Sequence, residues 1–125
     1  MNAEEVEGGL LETWTVGEVA EAYDRGEIAL IDVRTPQEYM FEHIEGALLL
    51  PMSFVKPDKL PSQEGKRLVV YCGSGVRSAK VARACVAAGI TPLAHMEGGF
   101  GAWKKGGKPH IGTDMATGAP KRVQP

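Results

Sequence analysis

A cysteine followed by a glycine-rich loop is the part of this sequence best suited to chemistry. Cys72 ends an apolar run, and the residues after it are Gly73, Ser74, Gly75, Val76, Arg77 and Ser78. Glycine allows sharp backbone turns, so successive N–H groups of such a loop can point inward and hold an anion. A helix beginning near Ser78 would direct its free N–H groups to the same place, and Arg77 would add a charge. Residues 72–78 are therefore predicted to form an anion-binding site.

The first anion available to this loop is the thiolate of Cys72 itself. A cysteine at a helix N-terminus or beside a cation has a pKa of roughly 3.5–7.5 instead of about 8.5. The thiolate is the nucleophilic form, so Cys72 is the predicted catalytic residue. The alternative, a structural cysteine beside a tight turn, would not need two glycines and an arginine around it. Ser74 and Ser78 can each donate a hydrogen bond to the sulfur, and Ser78 is equally suited to capping the helix.

Other kinds of site are disfavoured by residue spacing. Gly73 and Gly75 lack the third glycine, at position 78, that a dinucleotide-binding fingerprint requires. Three scattered histidines and two distant cysteines do not form a zinc site, so neither a metal nor a cofactor is expected. Cys85 lies on one face of the helix predicted after the loop, where a core cysteine is more common than a resolving thiol.

The composition is that of one ordinary globular domain. The 125 residues are 43% hydrophobic and 24% charged, and the formal net charge is −2. This balance gives no basis for a nucleic-acid or membrane partner, and no apolar run reaches the roughly 18 residues that a bilayer requires. The acidic N-terminus lacks the features of a secretory signal, so a cytoplasmic location with reduced thiols is expected.

Strand and helix patterns alternate along the chain. Strands are predicted at 14–16, 28–33, 47–50, 68–71 and 92–96, and helices at 15–26, 36–41, 78–88 and 100–105. Such alternation predicts an α/β domain with a mainly parallel sheet of about five strands and helices on both faces. Because ligands of open α/β sheets bind beyond the carboxyl ends of the strands, Asp32 and Arg34 should lie at the same edge as Cys72.

The domain is predicted to cover residues 13–107. Residues 1–12 hold few core candidates and are expected to be flexible. Residues 108–125 are rich in glycine, proline and lysine without apolar periodicity, and are expected to be extended or mobile. His95 and Trp103 are expected at the edge of the core.

Four stretches together resemble the rhodanese superfamily. The loop 72–78 resembles its active-site loop, and residues 30–39, LIDVRTPQEY, resemble its LIDVR-x-x-x-E-[YF] signature. Residues 43–47, HIEGA, are similar to its H-I-x-G-A motif, and residues 97–103, EGGFGAW, are similar to its closing E-G-G-x-x-A-W. The stretches follow the order of the family and span most of the chain. The resemblance implies the rhodanese-like three-layer α/β/α fold.

The resemblance also implies a two-step sulfur transfer in which Cys72 carries a persulfide. A small anionic donor such as thiosulfate would supply the sulfur, and cyanide, a thiol or a protein would accept it. The loop N–H groups would stabilise the persulfide, and Arg77 would attract the donor. Asp32 and Arg34 are implied to support the loop through hydrogen bonds, and His43 to be a turn or packing residue.

Three other functions remain open from the sequence. A persulfide carrier loaded by a partner protein would share every residue with the enzyme. A 3-mercaptopyruvate sulfurtransferase would have a similar Cys-Gly-Ser-Gly-Val loop, although a small uncharged residue is typical where this chain has Arg77. Phosphatases and arsenate reductases related to this fold have a C-x5-R loop, so the C-x4-R spacing of Cys72 and Arg77 disfavours them.

Overall fold

A six-stranded sheet lies at the centre of the protein, and a computed structural model describes all 125 residues. Its strands are β1 (Asn2–Val6), β2 (Gly9–Trp14), β3 (Ile28–Asp32), β4 (Leu48–Leu49), β5 (Arg67–Tyr71) and β6 (Leu93–Met96). The order across the sheet is β1-β2-β6-β5-β3-β4. Every neighbouring pair is parallel except β1 and β2. The strand β5, which leads to Cys72, is therefore central and paired on both sides.

Four helices cover the two faces of the sheet. They are α1 (Val16–Asp24), α2 (Pro36–Phe41), α3 (Val76–Ala87) and α4 (Gly99–Lys105). Val19 of α1 and Trp103 of α4 are buried in the core on one face. Val81 and Cys85 of α3 are buried in the core on the other face. The predicted three-layer α/β/α architecture with a mainly parallel sheet is confirmed, with six strands instead of about five. None of the helices is both long and apolar enough to span a bilayer.

Capping boxes begin both α1 and α2. The Thr15 hydroxyl accepts a hydrogen bond from the Glu18 N–H at 3.2 Å, and the Glu18 carboxylate accepts one from the Thr15 N–H at 2.9 Å. Thr35 and Glu38 repeat the arrangement at 3.2 and 3.0 Å. Each box satisfies two backbone N–H groups that the first turn leaves free. The second box also holds the Glu38 carboxylate close to the predicted site, within reach of Arg77.

The N-terminal residues differ from the sequence expectation. Instead of a flexible segment followed by a strand at 14–16, residues 2–14 form the β1–β2 hairpin, and β2 lies parallel to β6. Leu11 is buried on the α3 side of the sheet. The polar Glu12, also buried, accepts hydrogen bonds from Arg67 Nη2 at 2.8 Å and from the Trp14 indole N–H at 3.0 Å. Arg67 and β6 lie far from β2 in the sequence, so no local pattern reveals this strand.

The C-terminal residues also differ from the expectation of an extended or mobile tail. Strands β7 (His110–Thr113) and β8 (Pro120–Val123) form a separate antiparallel hairpin. Ile111 exchanges backbone hydrogen bonds with His43 at 3.0 and 2.8 Å, and the buried His110 ring meets the Phe100 ring edge-on at 5.5 Å between centroids. The hairpin thus packs on α4 and on the segment that follows α2, through contacts that no local periodicity reveals.

Candidate active site

Cys72 lies at the carboxyl end of β5, where the chain turns from the sheet into α3. We call residues 72–78 the Cys72 loop. Gly75 has a left-handed backbone (φ 102°) and is the N-cap of α3, so the helix begins at Val76, two residues earlier than predicted. The left-handed conformation favours glycine because a Cβ clashes there in other residues. The early helix start places the Ser78 N–H in the first turn, where it faces the sulfur.

The Cys72 sulfur accepts hydrogen bonds from two backbone N–H groups. The Gly75 N–H lies 3.1 Å from Sγ and the Ser78 N–H 3.3 Å, and the Ser78 hydroxyl oxygen is 3.6 Å away. Burial alone would raise the pKa of the Cys72 thiol. The hydrogen bonds from the side chain and backbone of Ser78, and from the N–H groups of Gly75 and Ser74, outweigh that effect and lower the pKa. The loop therefore stabilises an anionic sulfur mainly through hydrogen-bond donors.

The charge of Arg77 is shared with a carboxylate. Its guanidinium forms a bidentate pair with Glu38, with Nη1–Oε1 at 2.8 Å and Nη2–Oε2 at 3.0 Å. The hydrogen bond from Arg77 lowers the pKa of Glu38 to about 2. The guanidinium also lies against the loop backbone, since a Cβ at Gly73 would be 3.1 Å from Arg77 Nη2. Glu38 is not among the residues that the sequence predicts for the site, although its place in the LIDVR-x-x-x-E-[YF] stretch is an available signal.

Asp32 and Arg34 form a buried ion pair below the site. Arg34 Nη2 lies 2.8 Å from Asp32 Oδ2 and also donates to the Glu42 carbonyl at 2.7 Å. Its guanidinium carbon is 4.6 Å from the centroid of the Phe100 ring. Neither side chain hydrogen-bonds to residues 73–78, unlike the bracing that the resemblance implied. Their support reaches the loop through the strand, because Asp32 is paired with Tyr71, the residue before Cys72.

The start of α4 holds the loop from the other side. The Phe100 N–H donates to the Cys72 carbonyl at 2.7 Å, and the Gly101 N–H donates to the Gly73 carbonyl at 3.0 Å. Gly99 makes this approach possible, because a Cβ there would lie 2.4 Å from the Cys72 carbonyl oxygen. The EGGFGAW stretch thus acts as a backbone support for the loop, a role that sequence analysis did not assign to it.

Comparison with known proteins identifies the domain. Residues 15–106, most of the chain, match the family described as the rhodanese-like domain. The chain belongs to the rhodanese-like domain family.

Proteins similar to this rhodanese-like domain include a named sulfurtransferase. The thiosulfate sulfurtransferase GlpE of Coxiella burnetii is 33% identical over 94 residues, which cover 75% of this chain and 82% of that protein. The uncharacterized protein slr1261 of Synechocystis is 43% identical over 89 residues, 71% of this chain, and the match spans 50% of that longer protein. The crystal structure of a Staphylococcus aureus rhodanese-like domain protein has a TM-score of 0.63 at 35% identity, covering 74% of this chain and 90% of that one. The rhodanese-like fold is confirmed.

Two side chains of the domain lie behind the sulfur and were not assigned by sequence analysis. The Ser78 hydroxyl oxygen is 3.1 Å from His95 Nδ1, and His95 Nε2 is 3.2 Å from the Thr13 hydroxyl oxygen. His95, which was expected at the edge of the core, is only 7% exposed. The three residues lie on α3, β6 and β2, so their proximity depends on the strand order and has no local sequence signal.

The remaining sequence candidates lie away from the sulfur. Cys85 is buried among apolar residues of α3 and the sheet, and burial raises the pKa of its thiol. The His43 ring is stacked on Tyr39 at 3.9 Å between centroids, and its backbone bridges to Ile111. These surroundings are those of packing residues. No group of three histidine, cysteine, aspartate or glutamate side chains is arranged to hold a metal ion.

Proposed function

We propose that this protein is a sulfurtransferase that accepts a sulfane sulfur from thiosulfate and carries it as a persulfide on Cys72. The observation that carries the proposal is the sulfur itself, held by the N–H groups of Gly75 and Ser78 at 3.1 and 3.3 Å. Such preorganised donors stabilise a sulfur anion before and after transfer. Membership of the family and the 33% identity to a thiosulfate sulfurtransferase support the donor.

In the first step the Cys72 thiolate attacks the outer sulfur of thiosulfate. A bond forms between Sγ and that sulfur while the sulfur–sulfur bond of thiosulfate breaks, and sulfite leaves with the bonding electron pair. Cys72 then holds a persulfide anion, so the total charge is unchanged. The lowered pKa of Cys72 favours the thiolate, and a thiolate needs no general base for this attack.

In the second step a thiophilic acceptor attacks the outer sulfur of the persulfide. With cyanide, a carbon–sulfur bond forms, the sulfur–sulfur bond breaks, and thiocyanate leaves while the Cys72 thiolate is restored. A thiolate or a protein cysteine takes the sulfur in the same way. Because Cys72 is fully buried, we expect its persulfide to be partly shielded from chance reaction.

The decisive experiment is the mass of the intact protein before and after incubation with thiosulfate. We expect the wild type to gain one sulfur atom, cyanide to remove it as thiocyanate, and Cys72→Ser to gain nothing. The matched control is Cys85→Ala, which removes the other thiol and leaves the Cys72 loop unchanged. It should gain sulfur like the wild type.

Two results would contradict the proposal. A sulfur gained by Cys72→Ser would place the persulfide elsewhere. No gain in the wild type would exclude thiosulfate as the donor, and the same measurement with 3-mercaptopyruvate would then test the second small donor. A pyruvate product accompanied by the gain of one sulfur on Cys72 would assign the protein to that class.

A second candidate function is a sulfur carrier loaded by a partner protein, and the surface beside the loop favours it. A groove of about 480 Å³ runs past Arg77 and is lined by Met52 and Phe54. The Phe54 side chain is 67% exposed. Exposed large apolar side chains of this kind are typical of protein-binding surfaces more than of a site for a small inorganic anion.

Rates of loading distinguish the carrier from the enzyme. A carrier should be loaded slowly by thiosulfate and rapidly by a cysteine persulfide on another protein. Phe54→Ser should slow only the loading from protein, because thiosulfate does not need the apolar groove. Equal slowing of both reactions would exclude the groove as a protein-binding surface.

A further inference from the structure

A chain of three polar side chains leads from the sulfur into the sheet. Ser78 Oγ lies 3.6 Å from Cys72 Sγ and 3.1 Å from His95 Nδ1, and His95 Nε2 lies 3.2 Å from Thr13 Oγ1. Ser78 is fully buried and His95 nearly so. A buried polar group without a hydrogen-bond partner destabilises the folded protein. The positions of the protons along this chain are therefore constrained.

The Ser78 hydroxyl has one proton and three possible acceptors. These are the Gly75 carbonyl at 3.2 Å, His95 Nδ1 at 3.1 Å and Cys72 Sγ at 3.6 Å. Only when the proton points to Sγ does the hydroxyl stabilise a sulfur anion. Whether it does so depends on whether Nδ1 accepts that proton or donates one of its own.

His95 is neutral at physiological pH, so one of its ring nitrogens is a donor and the other an acceptor. Burial lowers the pKa of its ring, and the nearby Arg83 adds to this effect while Glu97 opposes it. If Nε2 held the proton, Nδ1 would accept the Ser78 proton and draw it away from the sulfur. If Nδ1 holds the proton, it donates a hydrogen bond to Ser78 Oγ, and Nε2 accepts a hydrogen bond from the Thr13 hydroxyl.

We propose that His95 is a positioning residue for the sulfur, whose Nδ1–H donates to Ser78 Oγ and so turns the Ser78 proton toward the Cys72 thiolate and its persulfide. The negative sulfur favours this direction, because a charged acceptor is stronger than the neutral Gly75 carbonyl. Every donor in the chain from Thr13 then points toward the anion, and aligned hydrogen bonds strengthen one another.

The same arrangement accommodates the uncharged thiol. Its S–H donates to Ser78 Oγ, and the Ser78 proton turns to the Gly75 carbonyl at 3.2 Å. His95 donates from Nδ1 in both states, so once the thiol proton of Cys72 has left to solvent, only the Ser78 hydroxyl has to rotate. The inference rests on the proposed role of Cys72 as the sulfur-carrying nucleophile, and it adds the group that orients the side-chain donor.

The test is a pH titration of Cys72 without any sulfur donor, followed by the ultraviolet absorbance of the thiolate. All variants carry Cys85→Ala, so that Cys72 is the only thiol observed. We expect His95→Leu to raise the Cys72 pKa by about one unit, which is about a tenfold loss of thiolate at a pH below it. His95→Asn keeps an amide N–H donor near the position of Nδ1 and should return the Cys72 pKa to near the wild-type value.

A double-variant comparison shows whether His95 acts through Ser78. Ser78→Ala should raise the Cys72 pKa at least as much as His95→Leu does. Adding His95→Leu to Ser78→Ala should then produce no further shift. An unchanged pKa in folded His95→Leu overturns the proposal, and so does a full additional shift in the Ser78→Ala background.

A second measurement uses the wild-type protein and needs no substitution that threatens folding. Nitrogen-15 chemical shifts of the imidazole ring, assigned to His95 by comparison with His95→Asn, report which nitrogen carries the proton. We expect Nδ1–H at a pH where Cys72 is a thiolate. An Nε2–H ring overturns the proposal. Neither measurement uses thiosulfate, so a failure to load sulfur and a failure of this inference are separate results.

Discussion

Arg77 and Glu38 form a bidentate ion pair directly beside the Cys72 loop, with nitrogen–oxygen distances of 2.8 and 3.0 Å. Arg77 belongs to the loop, and Glu38 is the last residue of the capping box that begins α2. The Glu38 carboxylate offsets part of the charge that an anionic donor would otherwise meet. We therefore expect the backbone N–H groups to provide most of the attraction for an anion in the loop. Arg77 contributes less while it is paired with Glu38.

We predict that Glu38→Gln lowers the KM for thiosulfate about two- to fivefold without a comparable change in kcat. The substitution removes the carboxylate that competes with the donor for the guanidinium of Arg77. The size follows from the modest free energy of a partly exposed ion pair. Steady-state kinetics of thiocyanate formation measure both constants. The control is Glu42→Gln, because the Glu42 carboxylate pairs with Lys104, outside the loop, and its removal should leave the KM unchanged.

Removing Arg77 should also test whether Glu38 and the anionic donor compete for its guanidinium. Arg77→Ala leaves Glu38 unpaired beside the entering anion, so the KM should rise, and adding Glu38→Gln should recover part of that loss. A KM that does not change in Glu38→Gln, or a double variant no better than Arg77→Ala, would contradict the competition.

We predict that the rate of sulfur loading follows the ionisation of Cys72 at a pH below that of an ordinary thiol. Burial opposes the thiolate, but the hydrogen bonds from Ser78 and Gly75 outweigh it and lower the pKa of Cys72. The thiolate fraction, and with it the rate, should be constant above that pKa and fall about tenfold per pH unit below it. Stopped-flow loading with thiosulfate across the pH range gives the profile.

Glu38 cannot produce that inflection, because its pKa of about 2 keeps it ionised throughout the neutral range. The profile of Glu38→Gln should therefore inflect near the same pH as that of the wild type. An inflection at or above the ordinary thiol value would show that the loop does not favour the thiolate.

Much of the fold was predictable because the central strands and α1 have clear patterns within short stretches of sequence. The continuous apolar runs around Ile31 and Val70 predicted two buried parallel strands, and Thr15 with Glu18 predicted the start of α1. All three predictions are confirmed. The two terminal hairpins were missed since their stability depends on distant partners: Glu12 is satisfied by Arg67, and His110 packs on Phe100.

Part of the candidate site could be proposed from the sequence. The residues of the Cys72 loop are contiguous, so their types and spacing are visible along the chain, and their role in sulfur transfer stays a prediction. Glu38, His95 and Gly99 were not assigned to the site, although each lies beside the loop or its sulfur. They come from α2, β6 and α4, and only the strand order and the packing of α4 bring them together. Spacing along the sequence has no information about such contacts.

We predict that Gly99→Ala abolishes sulfur loading and destabilises the protein. The added Cβ would lie 2.4 Å from the Cys72 carbonyl oxygen and 2.7 Å from the Gly73 carbonyl carbon, so the loop backbone must move. Denaturant unfolding and the mass test for loading measure the two effects. Gly107→Ala is the control, since Gly107 has a similar positive φ of 73° but no atom near its added Cβ.

The control separates backbone strain from displacement of the loop. Gly107→Ala should lose about 1 kcal/mol of stability through its strained φ and still load sulfur. Gly99→Ala should lose about 1–3 kcal/mol more, because the new methyl group meets backbone atoms that cannot rotate away. Normal loading by Gly99→Ala would show that the position of the Cys72 loop is not set by its contact with α4.

The last prediction concerns the buried pair of Arg34 and Asp32. Arg34→Ala leaves the fully buried Asp32 carboxylate without its partner, so we expect a loss of about 3–5 kcal/mol in the free energy of unfolding. Arg25→Ala, which breaks an exposed pair with Glu21, should lose no more than about 1 kcal/mol. Adding Asp32→Asn to Arg34→Ala removes the unpaired charge and should recover part of the stability. If Arg34→Ala loses no more than Arg25→Ala, the pair does not hold β3 beside the strand that leads to Cys72, and the loop must depend on its contact with α4 instead.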